Sequence, residues 1–381
     1  MVSLATLQQL PSPCYVCEEA MLEQNLQLLQ RVHQESGAKV ILALKGFAMH
    51  ATFDMVGAYL QGCTASGLNE ARLASEKMQG EVHTYSPAFK EAEIDAIATL
   101  SDHIVFNTPS QLKYFATRVK KINPKISISL RVNPETSSAP VDLYNPCGLF
   151  SRLGTTKANF DESVLPQLDG LNFHALCEQD VGALELVLLS FEAKFGDYLK
   201  NLKYVNFGGG HHITRKGYNV ERLIEVINAF KVRHNNIEVY LEPGEAVGWE
   251  TGFLVSTVLD VMHNGMNLAI LDTSAEAHMP DTLAMPYRAM VRGSGEANVK
   301  AHTYRLGGNT CLAGDIMGDY SFDVPLVIGD KIVFEDQIHY TFVKNTTFNG
   351  IGLPSLALYT KDGDIKVIKN FGYASYRDRL S

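Results

Sequence analysis

Long apolar runs are missing from this chain. None approaches the roughly 20 residues that a membrane-spanning helix needs, so no membrane partner is expected. The opening residues, Met1-Val2-Ser3-Leu4-Ala5-Thr6, put no basic start ahead of an apolar stretch, and no signal peptide is expected. Disulfide-framework spacing is missing too: the six cysteines (Cys14, Cys17, Cys63, Cys147, Cys177, Cys311) are scattered over 381 residues. A chain this long needs no staples, so they read as reduced thiols of a cytoplasmic protein. Cys14-x-x-Cys17 has the spacing of a redox or zinc pair. No second pair and no His-x-x-x-His follows, which favours two small residues in a strand. Basic clusters are also absent. With 33 Lys and Arg against 42 Asp and Glu, the formal charge is −9. That balance argues against nucleic acid as a partner and is compatible with a cationic ligand. No internal repeat or low-complexity segment is visible.

What is present is an ordinary globular composition, 46% hydrophobic and 20% charged, at a length comfortable for two domains. Eight short β-rich runs recur with helical patterns between them. The runs are Lys39–Leu44, Gln61–Ala65, Glu81–Tyr85, His103–Phe106, Ile126–Val132, Leu171–Ala175, Tyr204–Phe207 and Ile237–Leu241. Helical spacing fills intervals such as 67–79, 110–119 and 220–234. Strand and helix alternating eight times predicts a (β/α)8 barrel of the TIM type. An open doubly wound sheet would want a Gly-x-Gly-x-x-Gly turn after its first strand, and Lys45-Gly46-Phe47-Ala48 is not one. Beyond about Gly252 the helical patterns fade. Strand-like runs appear at 255–262, 268–272, 299–305, 331–335 and 365–368. The reading is a barrel over 18–252 and a mainly β domain built from 1–17 and 253–381, with Pro13–Val16 joining the latter as a strand.

Functional residues of such barrels sit at the C-terminal ends of the strands. Lys45, Arg131, His174, the triplet Gly208-Gly209-Gly210 and Glu242 all fall there. A lysine behind Ile41-Leu42-Ala43-Leu44 is partly desolvated, which frees its amine for Schiff-base chemistry. A glycine triplet lets backbone amides approach an anion. A carboxylate such as Glu242 can keep a pyridine nitrogen protonated, which makes the ring an electron sink. Taken singly, each has a bland reading: a snorkelling lysine, a core histidine, a plain turn, a loop carboxylate. His211-His212 lacks an acidic third ligand at helical spacing, and no metal is expected.

Taken in order, Leu44-Lys45, Phe173-His174, Gly208-Gly209-Gly210, Glu242-Pro243-Gly244 and Gly307-Gly308-Asn309-Thr310-Cys311 resemble the fold-type III pyridoxal-phosphate decarboxylases, which include ornithine and diaminopimelate decarboxylases. Tyr340 and the later Phe348-Asn349-Gly350 fit the same pattern. A closer resemblance, to the carboxynorspermidine and carboxyspermidine decarboxylases, is carried by 172–178, 207–214, 241–248 and 311–315. The resemblance implies an alanine racemase-like barrel with a C-terminal β domain, pyridoxal 5'-phosphate as cofactor and a homodimer with shared active sites. It implies that Lys45 carries the cofactor and His174 stacks on its ring. Glu242 would pair with the pyridine nitrogen, and Gly208, Gly209, Gly210 and Tyr340 would hold the phosphate. Arg131 would lie beneath the cofactor. Either Lys45 or the partner subunit's Cys311 would be the proton donor, with Asp315 close behind that cysteine.

Two departures from the family pattern matter. Glu245 stands where many relatives have the arginine of Glu-Pro-Gly-Arg, and His174-Ala175-Leu176-Cys177 replaces His-x-Gly-Ser. A phosphate contact and a phosphate-binding serine are thereby lost. Glu245, with Asp281 and Asp315, would instead suit a carboxylated polyamine bearing several ammonium groups. A racemase of the same fold would pair the ring nitrogen with a positive group, which Glu242 argues against. A non-enzymatic homologue would tend to lose Lys45 or Cys311. Diaminopimelate and ornithine remain open as substrates; the former's second carboxylate would want an arginine near position 245.

Overall fold

The computed structural model describes residues 2, 4–139 and 141–381, without the side chains of residues 4 and 5. It forms two compact units, 23–247 and 1–22 with 248–381. The first division therefore falls inside the helix Glu19–Ser36 rather than ahead of it.

The unit 23–247 is a closed parallel barrel. Its strands, in order, are Lys39–Val40 with Leu42–Ala43, Gly62–Ala65, Glu81–Tyr85, His103–Phe106, Ser127–Arg131, Gly170–Asn172, Tyr204–Asn206 and Glu238–Leu241. Each lies within one of the eight expected runs or overlaps it by all but one residue. The first strand is interrupted at Ile41. Its first part pairs with Glu238–Leu241 and its second with Gly62–Ala65, which closes the sheet. Parallel strands covered on both faces need continuous apolar runs, and Gly62–Ala65 is buried at every position.

The helices start where the local chemistry permits. Thr108 accepts the Gln111 N–H ahead of Pro109–Ile122, and Asn219 accepts the Arg222 N–H ahead of Val220–Arg233. The latter helix buries Leu223, Ile227 and Phe230, and the Phe230 ring lies edge-on to Phe207 at 5.0 Å. Truncating Phe230 to Ala would cost about 3–5 kcal/mol.

The other unit is a mixed sheet. Cys14–Glu18 runs antiparallel to Gly252–His263 and parallel to Ser355–Tyr359. Val16, Phe253, Val255, Val333 and Ala357 form its core. Cys14 and Cys17 are buried in the central strand, and burial pushes the Cys14 thiol up to about 12. Ile316–Phe322 and Ser355–Tyr359 are not in the sequence reading, nor is the two-residue strand Gly295–Glu296. In the first, Gly318 and Asp319 interrupt the apolar signal that marks a strand. Among the described residues no helix is long and apolar enough to cross a membrane, and all six cysteines are free.

Candidate active site at the barrel mouth

The first strand delivers Lys45 to the C-terminal end of the barrel. The Ala43 N–H bonds to Pro243 O at 2.9 Å and the Leu44 N–H to Thr64 O at 3.1 Å, so the backbone before Lys45 is fixed from both sides. A Cβ on Gly46 would stand 2.7 Å from Glu245 N. Glycine there lets the Lys45 turn meet the Pro243–Glu245 turn directly. The lysine side chain is exposed, yet the protein around it desolvates the ammonium. That desolvation holds its ammonium below the usual 10.5; Arg131 adds to the effect, while Glu242 and Glu70 oppose it. No hydrogen bond or ion pair engages Lys45 among the described residues. An unpaired amine whose charged form is disfavoured is what Schiff-base chemistry requires.

His174 faces the same space. Its Nδ1 accepts the Gly209 N–H at 2.8 Å, which leaves its other ring nitrogen to carry the proton. Burial, then Lys45, Arg131 and His211, hold its pKa well below 6.5, so the imidazole stays neutral. Arg131 is buried. It donates to the His174 carbonyl at 3.1 Å and lies over the Tyr85 ring at 4.7 Å.

The triplet is glycine by necessity. Gly208 and Gly210 have φ of +70° and +83°. A Cβ at Gly208, Gly209 or Gly210 would sit 2.4 Å from Phe173 O, 2.4 Å from Glu242 O or 2.1 Å from Leu176 O. The structure also refines the expectation that all three donate to a phosphate. The Gly208 N–H goes to Asn206 Oδ1 at 2.8 Å and the Gly209 N–H to His174. These two shape the cradle, and Gly210 is the member whose N–H has no acceptor among the described residues.

Glu242 follows the last strand, and its Oε1 accepts from Asn206 Nδ2 at 2.7 Å. Glu245 begins the short helix Glu245–Gly248. Its Oε2 lies 3.6 Å from His212 Nε2, and Glu178 completes a Glu178–His212–Glu245 cluster. The acidic neighbours of His212 thus come from two other loops, a proximity that sequence spacing could not reveal. Asn206 and Tyr85 were missed as well, because an amide and a phenol inside strands carry no motif.

The remaining candidates belong to the β-rich unit. Cys311 is exposed, and its N–H bonds to Asn349 Oδ1 at 2.7 Å, so the Gly307–Cys311 and Phe348–Gly350 segments meet. Asp281 pairs with Lys344 at 2.5 Å, and the Lys344 ammonium lies 5.4 Å from the centre of the Tyr340 ring. Asp315 requires a correction. It is buried, its Oδ1 accepts the Ala275 N–H at 2.7 Å, and its Oδ2 accepts the Thr310 hydroxyl at 2.6 Å. A carboxylate spent in this way braces the Gly308–Thr310 loop and is not available to a substrate.

A second polar cluster occupies the opposite end of the barrel. Lys39 Nζ lies 2.7 Å from Glu81 and 3.0 Å from Glu238, and bonds to the Tyr240 hydroxyl at 2.9 Å. His83 and His103 stack at 3.8 Å with an interplanar angle of 10°. Glu81, His83 and His103 are close enough to share a metal ion. The parallel rings direct their in-plane lone pairs side by side rather than at one point, and Lys39 already neutralises Glu81, so the geometry does not suit one.

Comparison with known proteins agrees with the geometry at the mouth. Residues 14–337 match the family model of the pyridoxal-dependent decarboxylase, C-terminal sheet domain. The chain belongs to the pyridoxal-dependent decarboxylase family. It is therefore an enzyme, and its cofactor is pyridoxal 5'-phosphate. A carboxynorspermidine/carboxyspermidine decarboxylase of Campylobacter jejuni is 52% identical over 97% of this chain and 98% of its own. A carboxyaminopropylagmatine decarboxylase of Synechocystis is 44% identical over 98% and 96%. The crystal structure of the Campylobacter jejuni carboxynorspermidine decarboxylase with norspermidine superimposes with a TM-score of 0.91, at 50% identity, over 97% of this chain and 100% of that one.

The mouth fits this cofactor on its own terms: an unpaired desolvated lysine, a neutral imidazole, an anchored carboxylate and a turn that admits no side chain.

Proposed function

We propose that this decarboxylase acts on carboxylated polyamines, with carboxynorspermidine and carboxyspermidine as substrates. The observation that carries this is Glu245: its backbone abuts Gly46, next to Lys45, and its carboxylate stands with Glu178 around His212. A pair of carboxylates grouped around His212 suits a substrate whose tail carries ammonium groups, and it repels a second carboxylate. The names of the two relatives and the norspermidine bound by the Campylobacter jejuni enzyme support the same class.

When bound, pyridoxal phosphate supplies an aldehyde for the substrate amine and a conjugated ring that accepts the electron pair left by the departing carboxylate. The chain's residues do the rest. Lys45 would hold the cofactor through its ε-amine. His174 would offer a neutral face to the ring. Glu242 would keep a proton on the ring nitrogen. Gly210 and Tyr340 would serve the phosphate end, and Arg131 would brace His174 through its carbonyl. In a homodimer with shared sites, the partner subunit's Cys311 would supply the proton that replaces the carboxylate.

The test of substrate is CO2 release from carboxynorspermidine, carboxyspermidine, carboxyaminopropylagmatine, diaminopimelate and ornithine, side by side. The two carboxylated triamines should lead in kcat/KM. A lead by diaminopimelate or ornithine would refute the polyamine assignment, and a lead by carboxyaminopropylagmatine would move it to a guanidinium-tailed substrate. The shared site has its own test. Mixed Lys45→Ala and Cys311→Ala subunits should recover up to about one quarter of wild-type activity, because half the dimers then hold one intact site. No recovery would put both residues in one chain's site.

A further inference from the structure

Asn206 ends the strand Tyr204–Asn206, is 1% exposed and has no part in the roles above. Its Oδ1 accepts the Gly208 N–H at 2.8 Å, and its Nδ2 donates to Glu242 Oε1 at 2.7 Å. The Glu242 N–H in turn donates to Gly208 O at 2.8 Å. Three hydrogen bonds therefore close a ring through Asn206, Gly208 and Glu242. The ring fixes the orientation of the amide, because a backbone N–H can be accepted only by Oδ1, and the NH2 group must then face the carboxylate. A buried amide N–H pins one of the two oxygens of the carboxylate it meets.

We infer that Asn206 is a positioning residue for Glu242. It holds that carboxylate in one orientation for the cofactor's ring nitrogen, and it ties the orientation to the glycine turn. An aspartate, although the same size, could not do this. It would set two carboxylates at the present 2.7 Å contact, where one must take up a proton.

The inference rests on Glu242 as the partner of the ring nitrogen, so the experiment separates the two. Four cofactor-loaded variants are compared with wild type: Glu242→Gln, Asn206→Ala, Asn206→Asp and the double variant Asn206→Ala/Glu242→Gln. Glu242→Gln alone with unaltered cofactor absorbance and kcat would overturn the role of Glu242 itself. For Asn206→Asp, the pH at which the bound cofactor's visible absorbance titrates should shift. The acid limb of kcat should rise by about one pH unit or more, with KM within about threefold of wild type. Asn206→Ala should lower kcat roughly tenfold in the wild-type background and less than about twofold in Glu242→Gln. An unshifted absorbance and pH profile in Asn206→Asp would overturn the inference. So would an equal loss from Asn206→Ala in both backgrounds, which would mark a general packing defect.

Discussion

Lys39 and Lys45 stand at opposite ends of the same interrupted barrel strand, and their surroundings are opposite in kind. At the base, burial acts to lower the Lys39 pKa, but its hydrogen bonds to Glu81 and Glu238 outweigh burial and raise it. At the mouth, desolvation acts on Lys45 without such partners, and the pKa falls. Both ends gather a lysine, glutamates and histidines. What separates a structural cluster from a reactive one is whether the cation is neutralised. Paired, the lysine stays charged and bridges strands. Unpaired beside Arg131, it is the candidate nucleophile.

The sharpest way to break this comparison is to remove each lysine in turn. Lys45→Ala should lower turnover by roughly a thousandfold or more and abolish the visible absorbance of the bound cofactor, as spectra of the loaded protein would show. Turnover near the wild-type rate would end the assignment. Lys39→Met should leave that absorbance intact and cost about 2–3 kcal/mol of unfolding free energy in a denaturant titration, because Glu81 and Glu238 lose their cation. A Lys39→Met protein that is stable but inactive would reverse the roles given to the two ends.

Glu245→Gln sharpens the comparison at the mouth. It should raise KM for carboxynorspermidine about tenfold while cofactor loading stays unchanged, since a charged hydrogen-bond partner is worth about 1.5–3 kcal/mol. Asp281→Asn, with Asp281 already paired to Lys344, should do less. An unmoved KM in Glu245→Gln would detach the carboxylate pair from substrate recognition.

The smallest effect concerns the base and pH. Burial, then the neighbouring His83, pull the His103 pKa down to about 3. A folded-state value below the unfolded 6.5 means that the unfolded chain binds the proton first. Stability is therefore complete above pH 6.5 and drains away as pH falls from there toward 3, by up to about 1 kcal/mol per pH unit. His103→Phe should flatten the fall of Tm between pH 6.5 and 4 relative to wild type; an equally steep fall would assign it to other groups.

Much of this was legible in the sequence, for identifiable reasons. A parallel barrel strand is covered on both faces, so largely apolar runs such as Lys39–Leu44 and His103–Phe106 announce themselves, and the residues just beyond such runs are the candidates. Lys45, His174, the glycine triplet and Glu242 followed from that rule together with the family pattern. What the sequence hid is three-dimensional. Asn206 reads as one more strand residue until the Gly208 turn folds back onto it. Asp315 reads as an acidic group behind Cys311, yet it is buried and bonded to Ala275, far away in sequence. Glu178, His212 and Glu245 lie on three separate segments, and no periodicity brings them together. The missed strand Ile316–Phe322 carries Gly318 and Asp319 in its middle, which hid it for the same local reason that the turns were easy to see.

The most direct test of the difference between the two lysines is covalent. The pyridoxal-phosphate-loaded protein is reduced with borohydride, digested, and its lysines surveyed by mass spectrometry. The unpaired, desolvated amine at the mouth predicts a single pyridoxyl adduct, on Lys45. An adduct on Lys39 or any other lysine, with Lys45 unmodified, would contradict it.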